Sequence, residues 1–232
     1  KATVLMTREK KKITSDNEMV LQSTGSIIPA MLSSEQVEKA EQIASKIAKA
    51  FGLKNTPFFY QAIATENDIS VLEFAPRIGG GLSYYLLKEF AGIDSIELAI
   101  DSFLGVSNSV VPKENPSKYS STLLYMDAGV YDHVEGLEEL KDKKLITDYF
   151  LLKKKGSIID NDLRSGNRIC AFIVKADTYE QIRICEKSII KQIKVIDNKG
   201  KDLLNRRINY WWGIKMRHHA YQPSSKFVIE PV

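Results

Sequence analysis

Two short runs rich in aromatic and branched residues, 58–65 (Phe-Phe-Tyr-Gln-Ala-Ile-Ala-Thr) and 69–75 (Ile-Ser-Val-Leu-Glu-Phe-Ala), are separated only by Glu66, Asn67 and Asp68. So short a polar connection leaves one arrangement open, two adjacent antiparallel strands. Strand alternation then puts Phe59, Gln61 and Ile63 on one face, and Phe58, Tyr60, Ala62 and Ala64 on the other. A loop centred on Asn67 pairs residues whose numbers sum to 134, which sets Gln61 opposite Glu73. The second run continues Pro76-Arg77-Ile-Gly79-Gly80-Gly81. Pro76 has no N–H and ends ladder pairing, and the glycines can take backbone angles closed to other residues. Glu73 lies inside the apolar run. Buried and unpaired, it would cost on the order of several kcal/mol, so it needs a cation, a metal ion or hydrogen-bond donors nearby; the alternative is an edge-strand glutamate facing water. The Gln61 amide oxygen and the Glu73 carboxylate are hard oxygen donors of the kind magnesium takes, though such a cross-strand pair also forms without a metal.

Composition narrows the function classes. With 232 residues and 44% apolar content, the chain can bury a sizeable core in one large or two modest domains. Charged residues of both signs make up 27% and the net charge is +4, which argues against a nucleic-acid surface. The basic runs at 10–12 and 153–155 read as solvated turns or edge guards. Two cysteines, Cys170 and Cys185, fit a reducing cytoplasmic setting rather than a disulfide framework. No apolar run approaches the roughly 20 residues that span a bilayer, so no membrane partner is expected. The chain begins at Lys1 within a strand-like run, as a piece cut from a longer protein would.

Along the chain, residues 2–7 read as a strand and 8–12 as a charged turn or hairpin return, followed by a polar irregular stretch in which Thr24-Gly25-Ser26 leads to an extended segment before Pro29. Ser33 with Gln36 makes a capping-box pattern for a helix over 34–51, with Val37, Ala40, Ala44, Ile47, Ala48 and Phe51 at helical spacing. After the glycines a helix over 82–90 stops at Gly92, and Asp94 with Glu97 opens another that ends at Gly105. Composition shifts to Ser, Asn, Pro and Lys over 106–120, a domain boundary. Beyond it strands are expected at 121–126, 145–153, 168–175 and 189–196. A single helix over 178–188, capped by Asp177, turns Ile182, Ile184 and Cys185 inward. His218 and His219 point apart in any extended tail and make a poor ligand pair.

Taken together, these residues resemble the ATP-grasp enzymes, especially the carbamoyl-phosphate synthetase and biotin carboxylase branch. The resemblance covers about residues 2–205: the first strand, Thr24-Gly25-Ser26, Pro29, the helix to Phe51-Gly52-Leu53, the hairpin, Glu73-Phe-Ala-Pro-Arg77-Ile-Gly-Gly, and Gly92-Ile-Asp-Ser-Ile-Glu to Leu104-Gly105. Lys155-Gly156-Ser-Ile and Gly166-Asn-Arg168 follow in the second half. It implies an α+β chain, the C-terminal half of an ATP-grasp fold (antiparallel sheet with helices) over 1–106, followed by a mostly β domain with one packed helix over 107–210 and an irregular tail over 211–232. It further implies ATP and magnesium as cofactors, Gln61 and Glu73 as magnesium ligands, and Arg77 as the residue that binds the acyl-phosphate-forming substrate. Partners would be small carboxylate and amine substrates, the remainder of the polypeptide, and a second copy in a homodimer. Where the family carries Asn, this chain has Ala75, so the second magnesium is held by fewer protein ligands or activity is lost. The family's nucleotide lysines and phosphate-covering loop precede the matched part, so the 232 residues alone are expected not to turn over ATP. The resemblance thus implies the C-terminal part of a carbamoyl-phosphate synthetase-like ligase that activates a carboxylate or bicarbonate as an acyl phosphate for attack by an amine; an amino-acid or peptide ligase, or a non-catalytic assembly module on the same scaffold, are the rival readings.

Overall fold

The structure, a computed structural model, describes residues 2–14, 19–66, 68–107, 109–162, 164–208 and 225–231. In chain order the elements are β1 (Val4–Thr14), β2 (Met19–Ile28), α1 (Ser34–Ala50), β3 (Phe59–Ala64), β4 (Ile69–Ala75), α2 (Ser83–Ala91), α3 (Ser95–Leu104), β5 (Lys118–Tyr125), β6 (Gly129–Glu135), α4 (Leu137–Asp142), β7 (Asp148–Leu151), β8 (Ile158–Ile159), β9 (Arg168–Ala176), α5 (Tyr179–Gln192), β10 (Lys194–Asp197) and β11 (Ser225–Pro231). The pattern is α+β, as expected, with the described strand pairs antiparallel. Two compact units divide the described residues: those within 2–10, 28–116 and 225–231 form one, and those within 11–27 and 117–208 the other. Among the described residues no helix is long and apolar enough to cross a membrane.

In the first unit the strands run in the order β4-β3-β11-β1, and α1 covers one face of the hairpin. The capping box forms as the sequence implies, with Ser33 Oγ accepting from the Gln36 N–H and Gln36 Oε1 accepting from the Ser33 N–H. The same Gln36 side chain donates to the Thr65 carbonyl at 2.7 Å, tying the start of α1 to the end of β3. Ala40 and Ala44 are fully buried, and their small side chains let β3 come close enough for the Tyr60 hydroxyl to donate to the Ala40 carbonyl at 2.8 Å. Burial raises the Tyr60 pKa, so the hydroxyl keeps its proton for that bond. The inward stripe is narrower than the periodicity suggests: Val37 is 36% and Phe51 61% exposed. Phe51 lies past the last turn and packs its ring on Phe74 instead, 4.5 Å between centroids. Gly92 and Gly105 end α2 and α3 in the left-handed conformation, and Asp94 caps α3 by accepting from the Ile96 and Glu97 N–H groups. Residues 225–231, expected in an irregular tail, form β11 between β1 and β3. The histidine pair 218–219 lies outside the described residues.

The larger correction concerns the start of the chain. The stretch after Thr7, expected as a charged turn or hairpin return and then an irregular loop, is strand: β1 continues to Thr14, and β2 contains Thr24, Gly25 and Ser26. Two of the polar residues in these stretches, Lys11 and Ser26, are taken up by distant partners. In the second unit Lys11, 3% exposed, donates to Ser120 Oγ (3.0 Å), Thr122 Oγ1 (2.6 Å) and Glu186 Oε1 (2.7 Å), and Ser26 Oγ bonds Ser121 Oγ at 2.9 Å. Strands β2, β5, β9 and β7 follow one another here, with α5 against β5 and β9; β10, β6 and β8 form a smaller sheet. Thr178, not Asp177, caps α5 with a capping box to Gln181. The helix runs on to Gln192, so residues 189–192 are helical and Ile189 and Ile190 are buried on the face that holds Ile182 and Glu186, while Ile184 points out. β6 and α4 occupy residues to which local pattern assigns nothing. Both cysteines are free; burial pushes the Cys170 thiol up to about 12, which leaves it a packing residue.

Two stability tests follow from this packing. A Cβ on Gly25, whose φ is +135°, would sit 1.9 Å from the Ser121 carbonyl oxygen, so Gly25→Ala is expected to destabilise by more than about 3 kcal/mol in urea unfolding. Lys11→Met or Glu186→Leu alone leaves one buried charge without its partner and is expected to cost about 3–5 kcal/mol. The double variant is expected to lose less than either; additive losses in the thermodynamic cycle would refute the coupling.

Candidate functional site

The hairpin pairs Gln61 with Glu73, as the numbering predicts, but by way of a bulge. From the turn outward the register is Ala64↔Ile69, Ile63↔Ser70 and Ala62↔Val71, whose numbers sum to 133; the next pair is Gln61↔Glu73. Leu72 is the extra residue. An inserted residue reverses the alternation of its strand, so Val71 shares the face of Ala62 while Glu73 shares that of Gln61. With strict alternation Val71 and Glu73 would lie on one face. The bulge is what aims the carboxylate.

Burial decides between the two readings of Glu73. β4 stands at the end of its strand order, and Glu73 is exposed, as are Val71 and Leu72. It is an edge-strand glutamate facing water, and no desolvation drives its choice of partner. Its carboxylate nonetheless accepts a hydrogen bond from Gln61 Nε2 at 2.5 Å. The Gln61 amide oxygen in turn accepts from Lys10 Nζ at 2.7 Å. This Lys10-Gln61-Glu73 chain runs across a face on which Phe59 lies two residues from Gln61, directly opposite Ala75. Arg77, after the strand end at Pro76, folds back: its backbone N–H reaches the Ala75 carbonyl, its Cζ sits 4.6 Å from the Phe59 ring centroid, and one guanidinium nitrogen donates to the Ile78 carbonyl. The three residues singled out in the sequence therefore share one face of the hairpin, opposite the face that α1 covers.

Sequence pattern sets Phe59 on the Gln61 face without its contact with Arg77, and gives Lys10 no partner. Lys10 sits in a basic run that looks like a solvated turn; strand alternation through residue 14 is the signal that could have placed it. Phe59 holds Arg77 by a cation–π contact worth about 0.5–1 kcal/mol at an exposed site.

For a metal, the donor set is one carboxylate and one amide, with Ala75 presenting a methyl group where a third donor would stand. Among the described residues no cluster of three acidic, histidine or cysteine side chains could hold an ion. Magnesium at phosphate sites commonly takes one or two carboxylates and completes its shell with phosphate oxygens and water. The residues present fit one such cation, carried in with a phosphate, and do not fit a pair.

The family description "L-amino acid ligase C-terminal domain 2" matches residues 122–196. No curated protein matches the chain significantly. Among solved structures, the L-amino acid ligase from Bacillus licheniformis superposes with a TM-score of 0.66 at 17% identity over 83% of this chain and 53% of that one. The phosphoribosylglycinamide synthetase from Anaerococcus prevotii gives 0.66 at 18%, again over 83% and 53%. The biotin carboxylase domain of the Hydrogenobacter thermophilus 2-oxoglutarate carboxylase, a dimer in complex with MgADP and bicarbonate, gives 0.58 at 17% over 82% and 45%. The chain thus spans about half the length of these structures.

Phe59→Leu removes the ring under Arg77. It is expected to abolish the ring-current shift of the Arg77 side-chain NMR signals while leaving the Gln61 amide resonances in place.

Proposed function

The chain has the fold of the C-terminal portion of the ATP-grasp enzymes, and on that premise we propose that the protein carrying it is an ATP-dependent ligase that joins a carboxylate to an amine through an acyl phosphate. One observation carries the reading: Glu73, Gln61 and Arg77 stand on a single face of the hairpin, held there by the Leu72 bulge and the Phe59 ring. Phosphoryl transfer to a carboxylate gathers negative charge on both partners, and catalysis consists of positioning them and spreading that charge. Glu73 would hold the magnesium that accompanies the nucleotide phosphates, and that cation would supply charge neutralisation at the transferred group. Gln61 fixes the Glu73 carboxylate from the neighbouring strand. Arg77, whose planar guanidinium matches a carboxylate, binds the carboxylate that accepts the phosphoryl group.

The match over residues 122–196 favours an amino acid as that carboxylate and a second amino acid as the amine. A carbamoyl-phosphate synthetase-like ligase would use the same chemistry on bicarbonate; its support is the likeness to a biotin carboxylase domain. ADP release by the complete gene product, measured with pairs of amino acids and with bicarbonate plus ammonia, separates the two. Arg77→Ala is expected to raise KM for the carboxylate at least about tenfold, and Glu73→Ala to lower kcat about a hundredfold or more. Magnesium-dependent turnover that survives Glu73→Ala would remove this site from the mechanism.

A further inference from the structure

The amide of Gln61 is committed at both ends. Its oxygen accepts from Lys10 Nζ at 2.7 Å and its nitrogen donates to Glu73 Oε1 at 2.5 Å. The charges on either side fix this orientation: turned about, the amide would set N–H groups against an ammonium and an oxygen against a carboxylate. A metal ion can bind a glutamine side chain only through its oxygen, and here an ammonium already holds that oxygen. On the same face Ala75, opposite Phe59, offers no donor.

We infer that Lys10 stands where a divalent cation would otherwise bind Gln61, so that this face takes one divalent cation, on Glu73, with Lys10 and Arg77 as fixed positive charges beside it. Lys10 acts through Gln61 and is a positioning residue: it turns the amide so that Nε2 holds Glu73 Oε1 and leaves the other carboxylate oxygen to a cation. The loss of an amide donor at Ala75 and the presence of a lysine on the remaining amide are then two parts of one arrangement. A tethered ammonium replaces part of a second cation's charge and needs no loading from solution. The inference rests on the ligase reading for the identity of the cation as magnesium; the Lys10-Gln61-Glu73 geometry stands apart from it.

The test is Mn2+ binding by the complete gene product in the presence of ADP, followed by water-proton relaxation and by broadening of the Gln61 side-chain amide signal in labelled protein. The wild-type chain is expected to bind one Mn2+ at this face. Lys10→Met, which removes a positive charge close to the dication and frees the amide oxygen, is expected to tighten binding about tenfold. Lys10→Arg keeps the charge and is expected to stay near wild type. Glu73→Gln is expected to abolish binding in either background. Circular dichroism confirms that each variant is folded, and Lys10→Gln serves if Lys10→Met is not. Two Mn2+ at this face of the wild type, no Mn2+ at Glu73, or unchanged or weaker binding in Lys10→Met each overturn the inference. Loss of the ligase reading, seen as no nucleotide-dependent turnover by the gene product, leaves this measurement untouched.

Discussion

The second unit depends on one buried ion pair. Lys11 and Glu186 are almost wholly removed from water, and the ammonium spends its three protons on Ser120, Thr122 and Glu186. Burial pulls the Lys11 pKa below the usual lysine range, while the Glu186 carboxylate pulls it back. Ser120 and Thr122 also donate to the same Glu186 oxygen, so one carboxylate oxygen gathers three donors from two strands. Such a pair adds little net stability compared with well-packed apolar residues, because desolvation offsets the attraction. What it imposes is register. A slip of β1 by one residue would carry the ammonium to the other face and leave Glu186 buried alone.

Neighbouring lysines on one strand therefore have different fates. Lys11 is sealed in the core of the second unit, and Lys10, half-buried, reaches Gln61 in the first. Strand alternation alone separates them. A run of like charges, which in isolation suggests a solvated turn, becomes two specific contacts once the strand extends through it.

At the hairpin the governing device is the bulge at Leu72. α1 claims one face through Tyr60 and Ala62, and the chain needs Glu73 on the other. Inserting Leu72 lets an apolar-rich strand keep Ala62 and Val71 together while turning the carboxylate outward. Pro76 then ends the ladder, and Arg77 doubles back over Phe59. Edge position leaves Glu73 exposed, so folding does not desolvate its carboxylate. The face carries one carboxylate, one amide and two fixed cations, a set suited to an anion accompanied by a single metal ion.

Features with short-range causes were legible in the sequence. The three-residue connection set the hairpin and the Gln61-Glu73 pair; Ser33 with Gln36, Asp94, Gly92 and Gly105 marked helix ends because caps act within a turn of the helix. Tertiary structure decided what distance conceals. Lys10 meets a residue 51 positions away and Lys11 one 175 positions away, so neither local period nor composition could distinguish them from a solvated run. The length of β1 and β2, the strand at 225–231 and the outward face of Glu73 have the same origin: each depends on which distant strand lies alongside. Residue type and spacing determined which groups this hairpin offers. Pairing with remote strands determined which of them meet, and which of them face water.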